Sequence, residues 1–83
     1  MPKVLVKFYA SVRMRVGCSS LEMDVVEDLM TALLQLDQHL GINLFEDLDK
    51  KYTILINGRN YALGDKVLRQ DDRLAFITLA GGG

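Results

Sequence analysis

The stretch RLAFITLAGGG, residues 73–83, decides how this 83-residue chain is interpreted. Residues 73–79 have the composition of a β-strand that is apolar on both sides. Leu74 and Phe76 point one way, and Ala75, Ile77 and Leu79 point the other. Because one helical layer covers only one face of a sheet, the outer side of this strand is expected to be partly exposed. Contiguous exposed apolar surface marks a partner site.

The strand is followed by Gly81, Gly82 and Gly83. Glycine has no Cβ, so an extended glycine run passes through channels too narrow for other residues. The four residues after Leu79 span about 13 Å at roughly 3.3 Å per residue, enough to reach into the active site of a neighbouring protein. We therefore expect one domain over residues 1–83, with residues 80–83 as a flexible tail. The alternative is an ordinary frayed terminus.

Three upstream segments also have strand character: KVLVKFYA (3–10), SLEMDVV (20–26) and YTILIN (52–57). In the first of them, Val4, Val6 and Phe8 are predicted to face the core, and the stretch SVRMRVG after it is interpreted as a turn. Asn57-Gly58 signals a tight hairpin, with a short strand expected around 61–63. Asp71 and Asp72 indicate a turn before the last strand.

A single main helix is predicted within DVVEDLMTALLQLDQHLG, residues 24–41. Leucines at helical spacing mark its apolar face: Leu29, Leu33, Leu36 and Leu40. Asp24 and Glu27 resemble a capping box, and Gly41 stands where a helix-ending residue belongs. The order β-β-α-β-β-β gives a two-layer α+β domain with one sheet of four to five strands packed on this helix.

Composition argues against several classes of function. The net charge of −1 offers no basic field for nucleic acid or an anionic membrane, and no apolar run is long enough to span a bilayer. Cys18 is the only cysteine, which favours a reducing, cytoplasmic setting. His39 is the only histidine, and no spacing of ligands indicates a metal site. The chain is poorly equipped to be an enzyme, and we expect it to bind no cofactor.

The tail offers a different chemistry. A carboxylate becomes reactive when a partner adenylates it with ATP, because the acyl adenylate is open to attack by sulfur or by an amine. The product is then a thiocarboxylate or an amide bond, and the catalysis belongs to the partner.

The chain resembles the ubiquitin-like β-grasp sulfur carriers, specifically the molybdopterin synthase small subunit (MoaD/ThiS) family. The resemblance rests on VLVKFYASVRMRVG (4–17), on ILINGRNYALGDKVLRQDDRLAFI (54–77) and on the final glycines. It implies a β-grasp sheet in which the first and last strands are adjacent and parallel. It also implies that Gly83 is adenylated and converted to a thiocarboxylate, with Gly81 and Gly82 as the threading arm.

The same resemblance implies two partners, an adenylating enzyme related to the ubiquitin-activating family and a larger catalytic subunit that uses the sulfur. The residues expected to contact partners are Ile77, Leu79, Ala75, Leu5, Tyr9 and Arg13. Family members carry Phe-Pro-Pro-Val before Gly-Gly, whereas this chain has Thr78, Leu79, Ala80 and a third glycine. Three roles therefore stay open: a molybdopterin sulfur carrier, a ThiS-like carrier for thiamine or another pathway, and a protein modifier joined to lysines.

Overall fold

A computed structural model describes residues 1–79, in which we find five strands and two α-helices. The strands are β1 (Lys3–Phe8), β2 (Ser20–Asp24), β3 (Tyr52–Ile56), β4 (Arg59–Asn60) and β5 (Arg73–Thr78). The helices are α1 (Ala10–Val16) and α2 (Leu29–Leu40). Two short 3₁₀ turns, Phe45–Asp47 and Tyr61–Leu63, complete the described elements.

The strands form one mixed sheet in the order β2-β1-β5-β3-β4. β1 and β5 run parallel at its centre, with Val6 opposite Leu74 and Phe8 opposite Phe76. The other pairs are antiparallel. The predicted α+β architecture and the parallel pairing of the first and last strands are confirmed.

The core lies between the sheet and α2. Its largest residues include Phe8, Phe76, Leu29, Leu36 and Ile54, each at most 2% exposed. Phe76 lies 5.5 Å from Phe8 between ring centroids, which joins the two central strands through an aromatic pair. Because side chains alternate across a strand, the burial of this face fixes which residues face outward.

Helix α2 begins four residues later than the proposed capping box. Its N-cap is Asp28, whose carboxylate accepts hydrogen bonds from the backbone N–H and the hydroxyl of Thr31. These bonds hold the pKa of Asp28 below its usual value. The predicted box at Asp24 and Glu27 is therefore wrong, since Asp24 closes β2. The predicted C-terminal end is confirmed, with Gly41 in the left-handed conformation at φ 74°.

Two further predictions are wrong. The stretch interpreted as a turn is α1, a seven-residue helix that buries Val12 and ends at Gly17 with φ 90°. The short strand expected around 61–63 lies two residues earlier, as β4, and residues 61–63 form a 3₁₀ turn that buries Tyr61. Within residues 1–79, no helix is long and apolar enough to cross a membrane.

Candidate partner-binding site

The face of the sheet opposite α2 carries the outward side chains of the central strands. On β5, Leu74 and Phe76 are buried while Ala75 and Ile77 are half-buried. On β1, Lys7 is exposed, and Tyr9 directly after the strand is 47% exposed. The predicted assignment of strand faces is thus confirmed, and the open face is the outer side of β1 and β5.

Ala75 lies at the middle of this face. It pairs with Lys7 of β1 on one side and with Leu55 of β3 on the other. Arg73 precedes it and Ile77 follows it on the same side of β5. All four neighbours have longer side chains, so the methyl group of Ala75 is the floor of a depression.

This depression has a volume of about 530 Å³. Its wall is mainly apolar, from Tyr9, Leu55 and Ile77, and two cations, Lys7 and Arg73, also line it. An apolar hollow with a few charged groups at its edge has the composition of a recognition site.

The tight turn after β3 fixes one wall of the depression. Asn57 and Gly58 adopt positive φ of 52° and 84°, the conformation of the hairpin that the sequence predicts. The Asn57 side-chain oxygen accepts a hydrogen bond from the Arg73 backbone N–H at 3.0 Å, and its amide nitrogen donates to Asp72 at 2.9 Å. Arg73 therefore begins β5 in a set position beside the depression.

Helix α1 lies against the C-terminal end of β5. The Ser11 and Thr78 hydroxyl oxygens are 3.0 Å apart, within hydrogen-bonding distance. Arg15 forms a salt bridge with Asp47 at 2.7 Å and donates to the Asn43 carbonyl at 3.1 Å. The first contact joins α1 to the end of β5, and the Arg15 contacts join α1 to the segment that follows α2.

Five of the six predicted contact residues fall into two groups, and the sixth, Leu79, borders neither hollow. Ala75, Ile77 and Tyr9 line the depression together. Leu5 is half-buried on the same face but borders a neighbouring hollow, and Arg13 is exposed on α1, away from the depression lining.

The chain leaves the sheet at Leu79, which is half-buried and donates its backbone N–H to the Lys51 carbonyl at 3.1 Å. The predicted tail, residues 80–83 with the glycines Gly81, Gly82 and Gly83, lies outside the described residues.

The perturbed titrating groups lie elsewhere. A hydrogen bond to Asp49, followed by burial, raises the pKa of Tyr61 to about 12. Burial, together with the nearby carboxylates of Asp37 and Asp47, raises the pKa of Tyr52 well above its usual value. Both tyrosines belong to the core cluster. Within residues 1–79, no group of His, Cys, Asp and Glu side chains is arranged to hold a metal ion.

Solved structures share this architecture. Small archaeal modifier protein 1 from Methanosarcina acetivorans superposes with a TM-score of 0.81 at 23% identity, covering 100% of this chain and 98% of that chain. The chain has the ubiquitin-like β-grasp fold. Small archaeal modifier protein 1 from Haloferax volcanii matches this β-grasp with a TM-score of 0.75 at 24% identity, covering 98% of this chain and 99% of that one.

A protein from Pyrococcus furiosus, described as a molybdopterin converting factor subunit 1, also shares the β-grasp. Its TM-score is 0.74 at 20% identity, and the match covers 94% of this chain and 98% of that chain. No protein-family model matches the sequence, and no curated protein matches it. The likeness therefore rests on three-dimensional structure.

Sequence reasoning missed three residues of the depression, Lys7, Leu55 and Arg73. Leu55 belongs to a strand that was correctly predicted, but its place beside Ala75 depends on β3 lying next to β5. Lys7 is an ordinary surface residue in the sequence, and its place beside Ala75 depends on β1 lying next to β5. Arg73 is on the same side of β5 as Ala75, two residues earlier. Alternation within each strand, combined with the strand order of the β-grasp, would have identified all three.

Proposed function

We propose that this β-grasp chain is a sulfur carrier whose Gly83 carboxylate is adenylated and converted to a thiocarboxylate. The observation that carries the proposal is the position of β5. This central strand presents its outer side chains on the open face of the sheet and leads directly into the glycine segment. A partner that covers the open face is then close to Leu79, the last described residue.

The chemistry belongs to the partner, an adenylating enzyme related to the ubiquitin-activating family. The Gly83 carboxylate attacks the α-phosphorus of ATP and displaces pyrophosphate. A persulfide donor then attacks the acyl carbon and displaces AMP, and a thiol cleaves the resulting S–S bond to release the thiocarboxylate. In this proposal Gly81 and Gly82 thread the active site of the enzyme, and the chain itself binds no cofactor.

Molybdopterin synthesis is the favoured destination of the sulfur. It is supported by the likeness to the Pyrococcus furiosus protein described as a molybdopterin converting factor subunit 1. A larger catalytic subunit would then be the second partner. A ThiS-like role in thiamine synthesis or another sulfur pathway is the alternative within this class. We place the protein in the cytoplasm, where Cys18 stays reduced.

A second candidate function is conjugation to proteins. It is favoured by the likeness to small archaeal modifier protein 1 from two organisms. The same acyl adenylate would then react through the activating enzyme with a lysine amine, giving an isopeptide bond in place of a thiocarboxylate.

The test is intact mass spectrometry after incubation with the adenylating enzyme encoded in the same genome, ATP, a persulfide donor and a thiol. The wild-type chain is expected to gain the mass of one oxygen-to-sulfur exchange, localised to Gly83 by fragmentation. Without the sulfur donor but with lysine-bearing proteins, a linked product at Gly83 would identify a modifier. Without the enzyme we expect no ATP hydrolysis or sulfur transfer.

Two tail variants provide the controls. Deletion of Gly82 and Gly83 shortens the arm, and one added alanine moves the carboxylate by about 3.3 Å and adds a methyl group where glycine must pass. Both changes should abolish conversion while leaving the unfolding midpoint of the domain unchanged. Conversion of either variant at the wild-type rate would contradict the proposal.

A further inference from the structure

The depression around Ala75 has a shape and a charge pattern that together specify what binds in it. We infer that it receives one large apolar side chain of the adenylating enzyme, flanked on that enzyme by carboxylates. The inference rests on the proposed function, because it describes the partner surface that this function requires.

The shape comes from one small residue. Ala75 is surrounded by Lys7 and Leu55 across the sheet and by Arg73 and Ile77 along its own strand. In the middle of a central strand, a methyl group among longer side chains leaves room for an incoming aromatic or branched side chain. Interfaces concentrate their affinity in such anchors, seated in pockets and shielded from water.

The apolar side chains that line the depression are partly exposed to solvent. Leu55, Ala75 and Ile77 are half-buried, and Tyr9 is 47% exposed, although all four lie on or beside central strands. In residues 1–79, both helices leave this surface uncovered, since α2 packs on the opposite face and α1 at the strand ends. An apolar anchor from a partner would remove these side chains from water.

The charged side chains that line the depression, Lys7 and Arg73, are both cations. Lys7 and Arg73 are exposed, and neither forms a salt bridge within the described part of the chain. Glu22 and Asp71 border the neighbouring hollow together with Arg73. The carboxylate of Asp72 accepts hydrogen bonds from the Asn57 side chain and the Arg69 backbone N–H, so it is not paired with either cation. An acidic partner therefore finds two free cations beside the apolar floor, whereas a basic partner meets like charge.

A second copy of the chain fits less well. If the same face were presented by two copies, Lys7 and Arg73 of one would meet the same cations of the other, because a two-fold interface is formed by the same patch twice. A partner of opposite charge is the occupant that the surface favours.

Charge reversal tests the inference with the adenylating enzyme. Lys7→Glu and Arg73→Glu should each raise the enzyme concentration for half-maximal conversion by roughly tenfold or more, as expected for contacts at the centre of an interface. Ala75→Trp, which fills the depression, should do the same, and its amide spectrum will show that it folds.

Lys50→Glu is the matched control, because Lys50 is exposed, lies outside the depression and undergoes the same change of charge. It should stay within about twofold of wild type, as expected for a charge outside the contact. If Lys7→Glu and Arg73→Glu behave like Lys50→Glu, or if Ala75→Trp folds and binds as well as wild type, the inference is wrong.

A direct binding experiment separates this inference from the proposed function. Amide resonances of the full chain are followed during titration with a short peptide carrying one phenylalanine flanked by glutamates, and with the same peptide carrying lysines instead. The acidic peptide alone should shift Lys7, Leu55 and Ala75, and Ala75→Trp should abolish the shifts. Equal shifts with both peptides, or none with either, would refute the docking chemistry. A wild-type chain that is never adenylated but passes this titration would refute only the proposed function.

Discussion

Tyr61 shows how a single buried hydroxyl links stability to pH. It donates to Asp49, whose other carboxylate oxygen accepts from the Thr53 hydroxyl at 3.1 Å. This bond, with burial, raises the pKa of Tyr61 to about 12, whereas a free tyrosine titrates near 10. Because folding favours the neutral phenol, the stabilisation is complete below about pH 10 and is lost as the pH rises through about 12.

Tyr61→Phe should therefore lower the free energy of unfolding at neutral pH by about 1–3 kcal/mol. It should also make the decline of stability between about pH 10 and 12 shallower than in wild type. Urea unfolding at several pH values measures both effects. Tyr9→Phe, at an exposed tyrosine, is the control and should follow the wild-type curve. An unchanged alkaline slope in Tyr61→Phe would contradict this assignment.

Tyr52 presents the opposite case. Its hydroxyl is buried and has no hydrogen-bond partner within residues 1–79, while its ring packs 5.4 Å from that of Phe76. A buried hydroxyl without a partner is destabilising by about 1–3 kcal/mol. Tyr52→Phe keeps the ring contact and removes the hydroxyl, so it should raise the free energy of unfolding by about 1 kcal/mol. Tyr61→Phe is the matched control, because it removes the same hydroxyl but should lower the free energy of unfolding. If both variants lose the same amount of stability, the Tyr52 hydroxyl is hydrogen-bonded and this prediction is wrong.

At the scale of elements, the turn between β3 and β4 requires a left-handed backbone conformation at Gly58. Gly58 has φ 84°, and a Cβ added there would meet no atom within 4 Å. Gly58→Ala should therefore destabilise the domain by about 1 kcal/mol through left-handed strain without any steric clash. Thermal or urea unfolding measures the loss.

Gly64 is the matched control for that substitution. It also has open space around its Cα, but its φ of −140° is one that alanine adopts freely. Gly64→Ala should leave stability unchanged or raise it by about 0.5 kcal/mol, because alanine reduces the entropy of the unfolded chain. Similar losses at both glycines would mean that the strain at Gly58 does not matter.

The elements also show what local sequence reveals. β1, β3, β5 and α2 were predictable because each buries several apolar residues at the period of its own structure. β2 was predictable because Leu21 and Met23, both half-buried, alternate with exposed residues. α1 was not, since its seven residues bury only Val12 and it begins at Ala10 with φ 51°, a conformation that alanine rarely adopts. β4 was misplaced because Arg59 and Asn60 are polar and have no periodicity to read. The N-cap moved to Asp28 because several acidic residues precede the helix and local pattern does not choose among them.

At the scale of the whole molecule, strand order determines how much of the site was predictable. Tyr9, Ala75 and Ile77 were found from strand alternation, and they do line one depression. Lys7 and Leu55 were missed because their proximity to Ala75 is created by the pairing of β5 with both β1 and β3. That pairing joins residues far apart in the chain, and no local pattern specifies it. Arg73 lies two residues before Ala75 on β5, so alternation within that strand alone places it on the same face.

The two faces of β5 should respond differently to the same charged substitution. Ile77 is half-buried on the open face, whereas its neighbour Phe76 is 1% exposed in the core. Ile77→Asp leaves its charge in water, so it should lower the free energy of unfolding by only about 1–2 kcal/mol and keep the native fold. Because the charge stands in the partner surface, it should strongly impair conversion by the adenylating enzyme.

Phe76→Asp is the control, placing the same side chain on the opposite face of the same strand. Burying a carboxylate in place of an aromatic ring removes core packing and leaves the charge without solvent, so this variant should lose most or all of its native structure. Circular dichroism and urea unfolding show which of the two variants keeps the native fold. The conversion assay then measures how well the adenylating enzyme converts the folded Ile77→Asp variant. If Ile77→Asp also unfolds, the side of β5 that bears Ile77 contributes to the core, and the open face cannot be the surface on which the partner docks.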